Sequence, residues 1–270
     1  MRFLKGHGTE NDFVILPDLE DETALSAALV AKICDRRAGI GADGVLRVAR
    51  TKESHEVAHL AATAEWFMDY RNADGSVAEM CGNGVRVFAR YLIDAGLTEA
   101  SEFALATRGG LRTIRVEPNG DITADMGKPV VDGESVATVG GQEYTGIRVD
   151  MGNPHLACAI GDPVVQLDLN HQPGFDTGIF PTGVNIELFN PVGVSRAVMR
   201  VFERGSGETR SCGTGAVATA VAAAHLSGDT TGTWTIEVPG GTLTVILDAE
   251  TSYLSGPAAI VASGELMLAE

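Results

Sequence analysis

The pattern Cys-Gly-x-Gly occurs twice in this chain, each time directly ahead of one long helical tract, and this repeat constrains the fold more than any other feature. Cys81-Gly82-Asn83-Gly84 runs into VRVFARYLIDAG, and Cys212-Gly213-Thr214-Gly215 into AVATAVAAAHLSG. In the first tract Val85, Phe88, Ala89, Leu92 and Ile93 fall at i, i+3, i+4, i+7 and i+8, the stripe of an amphipathic helix. Gly96 stands where a left-handed cap belongs. The second tract is apolar nearly all round, which predicts a helix enclosed by sheet and ending at Gly228. Short β-branched or aromatic runs read as strands: Phe13–Leu16, Val45–Val48, Glu65–Tyr70, Thr113–Val116, Gly146–Val149, Val198–Phe202, Thr233–Val238 and Thr242–Leu247. Glu117-Pro118-Asn119-Gly120-Asp121 is a hairpin signal, and a domain boundary is placed just after it, near residue 122. Leu25–Cys34 reads as a further helix. The fold class is α/β of the α+β type: two halves of similar plan, as a duplication would leave.

Charge narrows the function. Lys and Arg number 20 against 36 Asp and Glu, a formal charge of −16. Such a surface repels phosphate backbones and anionic lipid, which argues against nucleic-acid and membrane partners. No unbroken apolar run is longer than that of Ala220–Ala224, far short of the ~18 residues of a membrane span. The start, MRFLKGHGTENDF, has no apolar signal region. These features predict a cytoplasmic protein.

Two motifs suggest other chemistries. Gly39-Ile-Gly41-Ala-Asp-Gly44 matches G-x-G-x-x-G, but a dinucleotide site needs the run to follow a strand and open a helix. Here a helix precedes and the strand VLRVA follows, so a tight helix-to-strand connection is expected. His55-Glu56-Val57-Ala58-His59 is a literal H-E-x-x-H, which on a helix would offer zinc two imidazoles and a general base. The segment is short and polar at its start, and a solvated loop or short surface helix is the expectation; a zinc hydrolase built on His55, Glu56 and His59 is the remote alternative.

Of the four cysteines, Cys34 and Cys158 read as small buried hydrophobes. Cys81 and Cys212 differ, since each lies at a helix start, where orphan N–H groups and the helix dipole favour a thiolate. The flanking glycines let backbone amides approach a ligand. One thiolate and one thiol on opposite faces of a carbon suit a two-base inversion: one removes the Cα proton, the other returns a proton from the far side. A gap of only ten pKa units would already amount to ~14 kcal/mol. Without an electron-sink cofactor the carbanion must be stabilised by helix N-termini aimed at the α-carboxylate. No cofactor and no metal are called for.

At these residues the sequence closely resembles the diaminopimelate epimerases over essentially its whole length. The matching runs are KGHGTENDFVILPD, RAGIGADGVL, YRNADGSVAEMCGNGVRVFARYL, DMGNPHLACAI, FPTGVNIEL and FERGSGETRSCGTGAVA. The resemblance implies interconversion of LL- and meso-2,6-diaminopimelate without PLP or metal, serving lysine and peptidoglycan synthesis. It also implies two pseudo-symmetric domains, each a mostly antiparallel curved sheet around a central helix: residues 1–122, joined by 259–270, and residues 123–258. Cys81 and Cys212 resemble the acid/base pair. Gly82, Asn83, Gly213 and Thr214 resemble the helix-terminal donors to the reacting carboxylate. Asn11, Asn72, Asn153 and Asn185 resemble substrate-binding amides, and Arg204 the cation facing a carboxylate. Glu203 would meet a substrate ammonium and, with His155, adjust the thiols' acidity. The partner implied is a small molecule, and a homodimer rests on the resemblance alone.

The chain departs from the family pattern in places. Gly44 stands where some members carry a side-chain amide, and Val87 and Val217 replace cysteines often seen in those helices. Thr51–Ala64 matches no motif and reads as a variable loop. Within the same architecture, a proline racemase-like enzyme is the alternative, but its first element typically carries His where Asn83 stands. Phenazine-biosynthesis isomerase-like relatives lack the thiols.

Overall fold

The computed structural model describes residues 1–20 and 24–267. The first half runs β1 (Arg2–Gly8), β2 (Asn11–Pro17), α1 (Ala27–Cys34), β3 (Gly44–Arg50), β4 (Trp66–Asn72), α2 (Gly82–Asp94), β5 (Glu102–Thr107), β6 (Gly110–Val116) and β7 (Ile122–Gly127). The second runs β8 (Val130–Val139), β9 (Gln142–Asp150), β10 (Pro154–Ala159), β11 (Gly174–Phe175), β12 (Asn185–Gly193), β13 (Arg196–Glu203), β14 (Gly207–Thr209), α3 (Gly213–Ser227), β15 (Gly232–Val238), β16 (Gly241–Leu247) and β17 (Ser252–Gly256). A last strand, β18 (Ala259–Glu265), returns to β1. Two compact units result: Met1–Ala124 with the segment from Pro257 onward, and Asp125–Gly256. The division falls inside β7, because the strand returning from the 117–121 hairpin still pairs with β6.

The two units are laid out on one pattern. In the first the strand order is β18–β1–β2–β3–β4–β5–β6–β7. In the second it is β8–β9–β10–β12–β13–β15–β16–β17. Along both, the pairings read antiparallel, antiparallel, parallel, antiparallel, parallel, antiparallel, antiparallel. Both parallel steps need a crossover, and in each unit the second crossover carries the central helix. The registers also correspond: Phe13, Gly44 and Asn72 lie in line across the first sheet, as His155 and Asn185 do across the second, with Glu203 one step beyond the Ile186–Phe202 pair. The duplication read from the sequence is therefore a repeat of topology.

Helix burial follows the sequence pattern. α2 buries Val85, Phe88, Ala89 and Leu92 against β1, β2, β3, β4 and β18. α3 is buried along Ala216–Ala224 and touches β9, β10, β12, β13, β15, β16 and β17. Alanine on every side lets strands approach all round the helix. α3 ends on Gly228 at φ 79, and α2 is followed by Gly96 at φ 67, the left-handed positions glycine fills without strain. α1 begins later than Leu25 because the Ser26 hydroxyl caps it, accepting from the Leu29 amide. At the helix-to-strand connection a Cβ on Gly39 would lie 2.1 Å from the Lys32 carbonyl oxygen, so the glycines there serve close backbone approach.

Candidate active site

Each central helix starts on a cysteine. Cys81 (φ −140, ψ 117) and Cys212 (φ −125, ψ 119) are the N-caps of α2 and α3 in extended conformation, and each sulfur accepts from the amide three residues on, Gly84 at 3.4 Å and Gly215 at 3.3 Å. A sulfur in the N-cap position meets the positive end of its helix. Neither first turn holds an acidic residue, so no carboxylate of the helix competes for its terminus. The glycines are enforced by contact. A Cβ on Gly84 would come within 3.3 Å of the Cys81 Cβ, and one on Gly215 within 2.6 Å of the Glu187 carboxylate.

In the first half Asn11, Asn83 and Cys81 are neighbours. The Cys81 thiol faces Asn11 Oδ1 at 3.8 Å, and Asn83 Nδ2 donates to the same oxygen at 3.2 Å. Beneath them lies Arg86, fully buried, which donates to Asn83 Oδ1 (2.6 Å), Thr9 Oγ1 (3.2 Å) and the Pro257 carbonyl (2.8 Å). Burial pulls its guanidinium down to about 10, while Cys81 and Asp121 act in the opposite direction. It stays a cation at neutral pH, and a cation under the α2 start adds to the pull on a Cys81 thiolate. Asn72 closes β4: its Oδ1 accepts from the Tyr70 hydroxyl (2.8 Å) and its Nδ2 donates to Ser76 (3.0 Å).

In the second half the charges around the sulfur are of the other sign. His155 and Glu187 are wholly buried, with Nδ1 2.7 Å from Oε1, and His155 Nε2 lies 3.1 Å from Asn153 Oδ1. Glu203 takes hydrogen bonds from the hydroxyl of Thr209 and from Cys212, and desolvation pushes its carboxyl up. Burial first, then the carboxylates of Glu203 and Glu187, push the Cys212 thiol well above its ordinary range, outweighing the Thr214 hydroxyl and the Gly215 amide. Asn185 Oδ1 accepts from the Arg204 amide at 2.9 Å, and the Arg204 guanidinium reaches Thr182 at 3.3 Å from an exposed position. Asn153, His155, Asn185, Glu203, Arg204, Cys212, Gly213 and Thr214 therefore gather at one end of the second unit; Asn11, Asn72, Cys81, Gly82 and Asn83 belong to the first.

The repeated topology shows where the halves differ chemically. Counting from each N-cap cysteine, Arg86 corresponds to Val217; by sheet register, Leu46 corresponds to Glu187. Space confirms the second match, since a Cβ on Gly84 would meet Leu46 and one on Gly215 would meet Glu187. A buried cation thus stands in one half and a buried anion in the other. Sequence reasoning missed Arg86, Asp43, Glu187 and Tyr70. The available signal was a charge inside an apolar run, as in Ile186-Glu187-Leu188 and Val85-Arg86-Val87.

Gly44 has a local explanation. A side chain there would meet the Arg71 carbonyl at 2.5 Å and the Tyr70 ring at 2.7 Å, so Tyr70 fills the room and its hydroxyl sets Asn72. Gly44→Gln is expected to cost about 2 kcal/mol through overpacking, read as a fall in the urea midpoint; an unchanged midpoint would show that Tyr70 moves aside freely. The H-E-x-x-H segment forms no α-helix. A short 3-10 turn at Thr51–Glu53 precedes it, a second at Ala58–Leu60 takes in its last two residues, and Glu56 is committed to Arg108 at 2.5 Å. Among the described residues no cluster of three His, Cys, Asp or Glu stands ready for a metal. Cys34 and Cys158 are buried, their thiols pushed up by desolvation to about 11 and about 12.

The comparisons agree with this geometry. Structures of the same fold include a phenazine biosynthesis protein of the PhzF family from Bacillus anthracis (TM-score 0.75, 16% identity, 99% of each chain) and a probable proline racemase from Agrobacterium radiobacter (TM-score 0.68, 14% identity, 99% of this chain and 93% of that one). The diaminopimelate epimerases of Thermobifida fusca and Streptomyces coelicolor are 56% and 52% identical, over 99% and 97% of this chain and 98% and 94% of theirs. The family model for diaminopimelate epimerase matches residues 3–131 and 147–261, and with two cysteine-capped helices at equivalent places in two repeated sheets, this chain belongs to the diaminopimelate epimerase family.

Proposed function

We propose that the protein interconverts LL- and meso-2,6-diaminopimelate by a two-base inversion at one α-carbon, with Cys81 and Cys212 as the catalytic pair. The observation that carries this is the matched pair of N-cap sulfurs, each on a helix start free of acidic side chains. One sulfur, as thiolate, takes the Cα proton; the other, as thiol, delivers its proton to the opposite face, and the product leaves the pair with roles exchanged. The carboxylates around Cys212 favour its protonated form, so Cys81, beside the buried Arg86 cation, is the base in one direction and Cys212 the base in the other. The amides of Gly82, Asn83, Gly213 and Thr214 lie in the first turns, whose N–H groups have no partner within the helix, and these would receive the α-carboxylate as negative charge grows on it. Asn11, Asn72, Asn153, Asn185, Glu203 and Arg204 would hold the remaining amino-acid groups, since each carboxylate or ammonium needs directional partners.

Asn83 speaks against a proline racemase-like substrate, because its amide is fully buried and bonded to both Asn11 and Arg86. No helix among the described residues is long and apolar enough to cross a membrane. A cytoplasmic location, a homodimer and the absence of nucleic-acid partners belong to the same reading, the last supported by the charge of −16. The test is exchange in deuterated water. LL-diaminopimelate incubated with the protein should gain deuterium at Cα, followed by proton NMR, as the meso isomer accumulates. Bound substrate whose Cα–H signal persists would sink the reading.

A further inference from the structure

Asn11 and Asn83 form the middle of a chain of hydrogen bonds whose two ends are charged. Arg86 donates to Asn83 Oδ1 at 2.6 Å, Asn83 Nδ2 donates to Asn11 Oδ1 at 3.2 Å, and Asn11 Nδ2 donates to Asp43 Oδ2 at 2.7 Å. A guanidinium can only donate and a carboxylate can only accept. The ends therefore dictate the direction of every bond between them. Turning either amide over would set donor against donor on one side and acceptor against acceptor on the other.

We infer that Arg86 and Asp43 are positioning residues, which lock the amides of Asn83 and Asn11 in one orientation and so aim the Asn11 carbonyl oxygen, rather than its NH2 group, at the Cys81 sulfur. The relay is anchored at both ends. Arg86 also grips Thr9 at 3.2 Å, and Thr9 and Glu10 make the β1–β2 turn with φ of 50 and 62, left-handed values that side chains adopt only under constraint. Asn11 is the next residue. Asp43 takes a second bond from the Asp12 amide at 3.1 Å. The charged groups facing the relay are Arg86 and Asp121 at one end, and at the other Asp43, Asp12, Lys5 and Arg36, which bridges the two aspartates at 2.7 and 2.8 Å. The second half lacks the device: Val217 stands in the place of Arg86, and His155 on Glu187 sets Asn153 instead. A carbonyl at 3.8 Å holds the proton on Cys81, against the pull of the helix terminus and of Arg86, so the relay tempers the thiolate the helix would otherwise favour.

This inference rests on the two-thiol reading only for what the amides serve, and its test needs no substrate. The readout is the rate of Cys81 alkylation by iodoacetamide at pH 7, resolved by peptide mass spectrometry on the full-length protein. Asp43→Asn combined with Arg86→Gln replaces both charged ends by amides that can donate or accept, so that Asn83 and Asn11 can turn over together and Asn11 can present its NH2 to the sulfur. Hydrogen bonding to the thiolate should then raise the rate roughly tenfold. In an Asn11→Ala background the same double change should alter it less than about twofold, because no amide remains to turn and the two charges removed are opposite in sign. Arg36→Gln, which removes the bridge and leaves the relay, should likewise stay within about twofold of the parent. Equal acceleration with and without Asn11 would make the effect through-space charge and overturn the relay, as would no acceleration in the parent chain. Failure of Cα exchange in deuterated water, with the alkylation pattern intact, would instead remove the epimerase reading and leave the relay standing.

Discussion

Alanine at Cys81, or at Cys212, is expected to reduce net inversion of LL-diaminopimelate by at least about a thousandfold. A positioned proton-transfer group contributes on the order of 10²–10⁴ in rate, and inversion needs both groups in a single turnover. For that reason the losses should not add. The double variant should be little worse than either single one, as for any pair that acts as a unit. The singles should still differ in a way that reports the direction of each proton. A chain keeping only Cys81 can still draw the proton from one isomer and exchange it with solvent on the same face, giving deuterium at Cα without the other isomer appearing. The chain keeping only Cys212 should do so with the opposite isomer. Chiral chromatography and mass spectrometry on the same samples separate wash-in from inversion. Either single variant retaining inversion within tenfold of the parent would show that its sulfur is not one of the two bases, and the pairing of the helix starts would lose its chemical meaning.

How far this arrangement was legible beforehand depended on which interactions are local. Both helices were readable because their signals lie within a few residues: periodic Val85, Phe88, Ala89 and Leu92 in α2, unbroken small apolar residues in α3, and glycine at each end. Alternating strands such as Thr233–Val238 and Thr242–Leu247 were readable for the same reason, and they pair as a hairpin. Strands with one polar face and little alternation were not. β8 is exposed along Val130–Glu134, and β10 and β12 lie side by side through a parallel pairing that spans more than twenty residues of chain. The cysteines announced themselves through flanking glycine, whereas the groups that tune them did not. Glu187 looks like any strand residue until α3 is laid over it, and Arg86 like any helix surface arginine until Pro257 closes on it. Nothing local distinguishes a charge that a remote strand will bury.

The loop that matched no motif illustrates the same point and yields the other large effect. Asp69, on β4 and wholly buried, is met by Arg47 at 2.8 Å, Arg108 at 2.8 Å and Arg71 at 3.2 Å. Arg108 goes on to Glu56 in the 51–64 loop, Arg71 to the Leu25 carbonyl, and Arg47 to Asp18 at 3.4 Å. One carboxylate thus joins the loop, the approach to α1 and the strand that ends in Asn72. This gives Glu56 an electrostatic task, in place of the base it would be beside a metal. Asp69→Asn keeps the shape and removes the charge on which the three guanidiniums converge. A buried pair broken on one side costs about 3–5 kcal/mol, so a loss of that order is expected in urea unfolding at pH 7. Burial alone would raise the Asp69 carboxyl, but Arg108, then Arg47 and Arg71, hold it below its ordinary 3.8. A carboxyl lowered by folding adds stability that is complete above its unfolded value and disappears as pH falls through its folded one. The difference between parent and variant should therefore be full at neutral pH and narrow only below about 3.8. A variant within about 1 kcal/mol of the parent at pH 7, or a difference that persists unchanged into acid, would mean that the three arginines are held by their outer partners and that Asp69 is not the centre of the cluster.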